Sequence, residues 1–334
     1  MTAKQKGMAL LIVLMILAIM AALAAEMTLR FQTDMQRSEL QTVRLEQQWA
    51  LRAAEESAAA ILKQDLADNP HMTSDEQYWA QPQTLNFDTG VTVNAQLRDD
   101  QTCYNLNALA DVPQEPQTPT PYNVKVFEEL LKSEGVNNAQ AAALVDAIAD
   151  FIDEDNHSRR FGAEDEYYRN AKTAHRTAGQ PLFSISELKQ IKGMTPELYR
   201  QLAPVLCVLP GKEIQINPNN LTEVQAPLLA ALFIDQFSVE NAKELISERP
   251  KGGWRAPAHL FQQMEKQFPT AGKEYAEVKT LLVMHSKFFS LNSTAIAGDY
   301  SQSMQSRFYY DRETSKLSLF SRRFFIMDES GRMP

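Results

Sequence analysis

Apolar positions are densest near the beginning of the chain. An uninterrupted apolar run, residues 8–25, follows a polar leader that carries Lys4 and Lys6. A membrane-spanning helix needs about 20 mainly apolar residues, which this run nearly supplies. Because both lysines precede the run, the positive-inside rule leaves the leader in the cytoplasm and sends the bulk of the chain outward. A removable signal peptide, cut near Ala22-Leu23-Ala24, is the alternative, although its apolar core is usually about 7–15 residues.

The same helix is predicted to continue well beyond the membrane. Neither Gly nor Pro, the two strongest helix breakers, occurs between Met8 and Asn69. Apolar residues keep recurring on one helical face past the membrane segment, at Leu51, Ala54, Ala58, Ile61 and Leu62. An unbroken helix over residues 8–69 is about 90 Å long at a rise of about 1.5 Å per residue. Its alanine-rich face is expected to pack on a globular domain.

After this helix the periodicity changes twice. Residues 85–97 alternate between polar and apolar side chains and contain the turn Asp88-Thr89-Gly90. This pattern predicts a β-hairpin. A proline-rich bridge leads to residues with helical periodicity, and strand-like sequence returns near the end. The pattern predicts a β-sheet domain interrupted by a large all-helical insertion. The predicted parts are residues 70–109 (first part of the sheet domain), 110–284 (insertion) and 285–334 (last strands).

Two short motifs indicate an internal duplication within the insertion. NLNAL (105–109) and QINPNNLTEV (215–224) each place Asn-x-Asn before an apolar helical segment. A third stretch, ISELKQIKGMTPELYRQL, resembles a helix-hairpin-helix, in which Gly193 ends one helix and Thr195-Pro196 begin the next. Some helix-hairpin-helix elements bind DNA phosphates through backbone amides.

The charge of the chain argues against such a partner. The 334 residues carry a net charge of −9, and removal of residues 1–7 with their two lysines would make it −11. A nucleic-acid-binding protein needs a basic surface to neutralise phosphates. We therefore expect no nucleic-acid partner, and interpret the hairpin as a structural helix pair or a protein-binding element.

The chain contains two cysteines, Cys103 and Cys207. In an oxidising compartment the two could form a disulfide, which for a loop of this length would stabilise the fold by about 4 kcal/mol. Both cysteines lie beside apolar residues, so a pair of buried thiols is the alternative. The residues themselves leave both possibilities open.

Acidic side chains are concentrated in residues 146–169, DAIADFIDEDNHSRRFGAEDEYYR. Asp146, Asp150 and Asp153 follow i, i+4, i+7 spacing, so one helical face could carry three carboxylates. Converging carboxylates repel one another unless a cation neutralises them, and oxygen ligands at irregular spacing suit Ca²⁺ better than Zn²⁺. A solvated acidic face is one alternative. Catalytic carboxylates are another, although no His, Cys or Ser arrangement accompanies them.

The beginning of the chain resembles the type IV pilin and pseudopilin class. The shared features are a short basic leader ending in Gly7, an apolar segment directly after it, and one continuous helix leading into a soluble domain. The resemblance implies cleavage by prepilin peptidase between Gly7 and Met8, followed by N-methylation of Met8. The fifth mature residue is usually Glu in major subunits, where it pairs with a neighbour's amino terminus, but here it is Ile12. A subunit that lacks this Glu suits the first position in a filament.

Taken over nearly its whole length, the chain is similar to the minor pseudopilin GspK family of type II secretion systems. CYNLNAL, the DFIDED and GAEDEYY segments, LKQIKGM and INPN carry this resemblance. The chain departs from the family's usual form at Phe151, which replaces a Trp, and in the loop NHSRRF, which lacks a Pro. The resemblance implies an α+β, type IV pilin-like fold with an α-helical insertion, a Cys103–Cys207 disulfide and structural calcium. The implied calcium ligands are Asp150, Asp153, Asp155, Glu164 and Asp165.

The resemblance also implies a role without enzymatic activity. The chain would be a single-pass inner-membrane protein with its bulk in the periplasm. It would assemble with GspI- and GspJ-like minor pseudopilins at the tip of a filament of the major pseudopilin, and would assist export of folded proteins across the outer membrane. A minor pilin of a type IV pilus and a membrane-anchored periplasmic metal-dependent enzyme are the alternatives.

Overall fold

A computed structural model describes residues 4–115, 118–171, 173–269 and 275–325. One helix, α1, runs without a break from Lys4 to Asp68, as its sequence predicts, and ends just before Asn69-Pro70. The side chains of residues 8–39 are exposed, whereas one face of the helix is buried from Gln47 onward. Thus the first part of α1 is free of the rest of the fold and the second part packs on it. Of the predicted leader and last strands, residues 1–3 and 326–334 lie outside the described residues.

Strands and shorter helices make up the rest of the described fold. The strands are β1 (Gln83–Asn86), β2 (Thr92–Asp99), β3 (Tyr104–Asn105), β4 (Leu206–Cys207), β5 (Phe288–Ala297), β6 (Tyr300–Asp311) and β7 (Lys316–Phe325). The helices after α1 are α2 (Tyr122–Ser133), α3 (Asn138–Ile152), α4 (Asp165–Arg169), α5 (Pro196–Leu202), α6 (Ala226–Ala231), α7 (Val239–Ser247), α8 (Pro257–Gln267) and α9 (Ala276–Leu281).

A five-stranded antiparallel sheet covers the buried face of α1. Its strand order is β1-β2-β5-β6-β7, so β2 and β5, which flank the insertion in sequence, are neighbours in space. The predicted hairpin is confirmed as β1–β2, and Gly90 in its turn has φ +80°, which a residue without a side chain adopts without strain. Small side chains at Ala50, Ala54 and Ala58 let the helix approach the sheet closely.

The insertion has a hydrophobic core of its own, separate from the core between α1 and the sheet. This second core includes Tyr104, Leu106 and Leu109, which the sequence pattern assigned to the sheet domain. These residues belong to the insertion because β3 pairs with β4, which lies at the end of the first half of the insertion. The residues that follow β3 therefore pack in the core of the insertion. The helical body therefore begins at Tyr104 and extends to Met284.

The two Asn-x-Asn motifs have the same structure. In each motif the first asparagine side chain accepts a hydrogen bond from the backbone N–H of the second one. Asn107 then accepts from the N–H of Leu182 and donates to its carbonyl, and Asn219 does the same with Trp254. This equivalence supports the predicted duplication, because the same side chain closes the same backbone contact in both halves.

Candidate metal site

The acidic segment folds back on itself at the end of α3. Asp150 lies in the last turn of α3, Asp153 caps its end, and Glu164 precedes α4. Gly162 brings the returning loop against α3, because a Cβ at this position would overlap the carboxylate of Asp150. A glycine is therefore required for this close approach, and the approach makes the carboxylates converge.

Three of the five predicted ligands come together. Asp150, Asp153 and Glu164 each offer one carboxylate oxygen, and these oxygens lie within 4.8 Å of one another. Asp150 is fully buried and Glu164 is 7% exposed. Three carboxylates this close and this poorly solvated repel one another strongly unless positive charge is nearby.

One guanidinium supplies part of that charge. Nη1 of Arg159 lies 2.7 Å from Oδ1 of Asp150 and 2.6 Å from Oδ2 of Asp153. The backbone N–H of Arg159 also donates to Asp150, and Nη2 donates to the carbonyl of Val112 at 2.8 Å. Sequence reasoning did not assign Arg159 a role, although an Arg-Arg pair within an acidic segment was a usable signal.

Glu164 has no such partner. Both of its carboxylate oxygens are buried without a hydrogen bond, as is Oδ1 of Asp153. Burial, followed by repulsion from Asp150 and the other carboxylates, raises the pKa of Glu164 to about 7. Burial likewise raises the pKa of Asp153, against the lowering effect of Arg159. One positive charge faces three carboxylates, so the site retains an excess of negative charge.

The donor set fits a hard divalent cation. The unpartnered atoms are all carboxylate oxygens, and the described part of the chain places no Cys or His in the same group. Ca²⁺ takes about 6–8 oxygen ligands in flexible geometry, and water commonly completes its shell. The site can therefore hold such an ion, which would neutralise the remaining charge.

The other two predicted ligands lie outside this group and make bonds of their own. Asp155 accepts from the side chain of Gln114 and from the N–H of His157. Asp165 accepts from the N–H and hydroxyl of Thr177 and forms an ion pair with Arg169. Both residues border the carboxylate group and fix the loops around it.

Sequence comparison places this site within a known family. The profile described as "Type II secretion system (T2SS), protein K" matches residues 102–211 in its first domain and residues 216–279 in its second. Together the two matches cover more than half of the chain. The chain belongs to the type II secretion system protein K family.

Relatives in this family are similar over almost their full length. A relative from Escherichia coli (strain K12) is 40% identical across 96% of this chain and 98% of its own length. Type II secretion system protein K of Pectobacterium carotovorum subsp. carotovorum is 36% identical across 90% of both chains. A chain in the crystal structure of the GspK-GspI-GspJ complex from enterotoxigenic E. coli superposes with a TM-score of 0.74 at 30% identity. That match covers 87% of this chain and 99% of the other.

The first protein K domain also contains both cysteines. Cys103 and Cys207 form a disulfide with a Cα–Cα distance of 5.6 Å, at the paired strands β3 and β4. The bond joins the start of the first half of the insertion to its end. It thereby closes the segment that carries the acidic site.

The predicted processing site lies at the start of α1. Gly7 and Met8 lie within the helix, and Met8 and Ile12 are 64% and 52% exposed. Within the described residues, α1 is also the helix long and apolar enough to cross a membrane. The apolar segment of this chain is therefore an exposed helix that does not pack on the rest of the fold.

Proposed function

We propose that this chain is a minor pseudopilin that assembles with GspI- and GspJ-like subunits at the tip of the type II secretion pseudopilus. The observation that carries the proposal is the match to a chain of the GspK-GspI-GspJ complex, which extends over 99% of that chain. The match covers 87% of this chain, so it concerns most of the architecture and not one domain alone. The type IV pilus and enzyme alternatives have no comparable support, and we propose no catalytic activity.

The amino terminus is proposed to be processed as in other pseudopilins. Prepilin peptidase would cut between Gly7 and Met8, and Met8 would be N-methylated. The apolar part of α1 then anchors the chain in the inner membrane by a single span, with the bulk of the chain in the periplasm. The exposed apolar side chains support this role, because a free helix of this composition is stable in lipid or against other apolar helices.

Structural calcium is proposed for the acidic site. Asp150, Asp153 and Glu164 would hold the ion directly, and Asp155 and Asp165, the other two predicted ligands, would fix the loops that border it. A bound ion would neutralise the carboxylates and tie the end of α3 to the start of α4. Its role would be to stabilise the insertion, since ligand binding to the folded state alone shifts the folding equilibrium by mass action.

Deletion and complementation test the main proposal. Removal of the gene from its host should abolish export of the type II secretion substrates, and the wild-type gene should restore it. Affinity purification of this chain from detergent-solubilised membranes should also recover the GspI- and GspJ-like subunits. Normal secretion in the deletion strain, together with recovery of type IV pilus subunits, would refute the assignment.

A further inference from the structure

Arg159 contacts two of the carboxylates, Asp150 and Asp153, that a metal ion in this site would also bind. A single nitrogen, Nη1, contacts both Asp150 and Asp153, and its side chain is only 5% exposed. Nη2 of the guanidinium also donates to the carbonyl of Val112, and the backbone N–H of Arg159 donates to Asp150. Arg159 is therefore a fixed component of the site and not a surface side chain that folds over it by chance.

The bonds of Arg159 divide the carboxylate oxygens into two sets. Oδ1 of Asp150 and Oδ2 of Asp153 are engaged by the guanidinium. Oδ1 of Asp153 and both oxygens of Glu164 are buried without a partner. A cation entering the site thus finds unpartnered oxygens on one side and a fixed positive charge within a few ångströms on the other.

We propose that Arg159 is a resident counter-cation that keeps the acidic site folded without metal and weakens its affinity for a divalent cation. The inference rests on the proposed calcium site and concerns how this chain sets its affinity. Two positive charges that share buried carboxylates repel each other, and this repulsion is only partly screened in a site with little water. The same guanidinium relieves carboxylate repulsion when no metal is present.

The chain offers a matched control for the effect of net charge. Arg160 follows directly in sequence, but it is exposed and stacks over the ring of Phe161 at 4.9 Å. Arg159→Gln and Arg160→Gln remove the same formal charge from adjacent positions. An effect confined to Arg159→Gln is therefore due to its contacts with the carboxylates.

The experiment measures calcium binding and melting temperature on the full chain in detergent. Protein is stripped with EGTA, calcium is added back in a calorimeter, and melting is recorded with and without calcium. For Arg159→Gln we expect a lower melting temperature than wild type without calcium, a larger rise with calcium, and a dissociation constant at least about ten-fold lower. Arg160→Gln should match wild type in all three measurements.

Each other outcome has a defined meaning. Equal calcium affinity in wild type and Arg159→Gln would overturn the inference while leaving the metal site intact, and so would an equal gain in Arg160→Gln. Absence of calcium binding in all three proteins would overturn the metal site itself, and the inference with it. Binding by Arg159→Gln alone would support the inference, with the guanidinium acting as a permanent replacement for the ion.

A second variant covers the case in which Arg159→Gln does not fold. Asp150→Asn combined with Arg159→Gln removes one charge of each sign. If Arg159 acts as a counter-cation, the double variant should fold without calcium. Failure of the double variant to fold would assign Arg159 a packing role instead and would overturn the inference.

Discussion

The buried carboxylate of Glu55, on α1, forms an ion pair with the solvent-accessible guanidinium of Arg322, on β7. Arg322 Nε donates to Glu55 at 2.9 Å, Nη2 donates as well, and the hydroxyl of Ser306 provides a third hydrogen bond. The Glu55 side chain is 3% exposed. This pair joins the long helix to the last described strand, so β7 is fixed to the element that carries the apolar segment.

Loss of this pair should loosen the helix from the sheet. Glu55→Ala leaves the guanidinium and the Ser306 hydroxyl without their partner, and hydrogen bonds to a charged group contribute about 1.5–3 kcal/mol. We expect a loss near the lower end, about 1.5 kcal/mol, because Arg322 can be solvated when its partner is removed. Chemical unfolding of the detergent-solubilised chain measures it. Glu56→Ala, on the exposed face of the same helix, is the matched control and should change stability little.

Replacement of Glu164 should change the melting temperature in opposite directions without and with calcium. Its carboxylate is buried, unpartnered and close to two others, so Glu164→Gln removes repulsion in the metal-free chain. We expect a higher melting temperature than wild type in EGTA and a smaller rise, or none, on addition of millimolar calcium. Glu166→Gln, at an exposed neighbouring position, should retain the wild-type response. A full calcium response in Glu164→Gln would exclude Glu164 from the ligand set.

Gly162 tests whether the site depends on the close approach of its loop. A Cβ at this position would overlap the carboxylate of Asp150, so Gly162→Ala must displace either the loop or the carboxylate. We expect a loss of stability of about 2 kcal/mol or more, together with loss of the calcium response. Gly135→Ala is the control, because open space surrounds that position and only its φ of +85° opposes the substitution. It should cost about 1 kcal/mol and leave the calcium response unchanged.

Asp99 makes stability depend on pH at the junction between sheet and insertion. Its carboxylate is buried and accepts hydrogen bonds from Ser286, Asn220, Asn217 and the N–H of Gln101. Burial raises its pKa to about 6 from 3.8, against the lowering effect of these donors. A raised pKa in the folded state means that protonation favours folding. The stability it provides is fully present below about pH 3.8 and is lost as the pH rises through about 6.

We therefore expect the unfolding free energy of wild type to depend on pH differently from that of Asp99→Asn. Asp99→Asn cannot titrate, so the unfolding free energy of wild type should fall relative to the variant by about 2 kcal/mol between pH 4 and pH 7. Urea unfolding in EGTA at several pH values measures this difference, and the contributions of all other titrating groups cancel in it. A difference that is flat, or that changes in the opposite direction, would contradict the raised pKa.

Sequence reasoning was most successful where one residue type governs a local structure. The absence of Gly and Pro predicted α1, the Asp-Thr-Gly turn predicted the β1–β2 hairpin, and Asn-x-Asn predicted the duplication. It was least successful where distant segments meet. The pairing of Tyr104 with Leu206, which moves the start of the insertion, leaves no local pattern. The Arg159-Arg160 pair was a local signal of positive charge in the acidic segment, but which of the two faces the carboxylates depends on the return of the loop.

Processing of the amino terminus should leave the apolar segment on the mature protein. Prepilin peptidase cuts ahead of such a segment, so mass spectrometry of the chain purified from membranes should find a methylated amino terminus at Met8. Replacing Gly7 by a bulky residue should yield an uncut chain that stays in the inner membrane. A mature terminus after Ala24 would instead indicate removal of a signal peptide and would contradict the pseudopilin assignment.

The position of this subunit in the filament follows from Ile12 and the insertion. Ile12 has no carboxylate to pair with the charged amino terminus of a subunit above it, and an unpaired charge in lipid is costly. The helical body from Tyr104 to Met284 adds bulk that would hinder packing of a further subunit on top. We therefore expect one copy for each filament, at one end. Gold labelling of sheared filaments through a tag in this chain should mark a single end, and regular labelling along the shaft would refute the tip position.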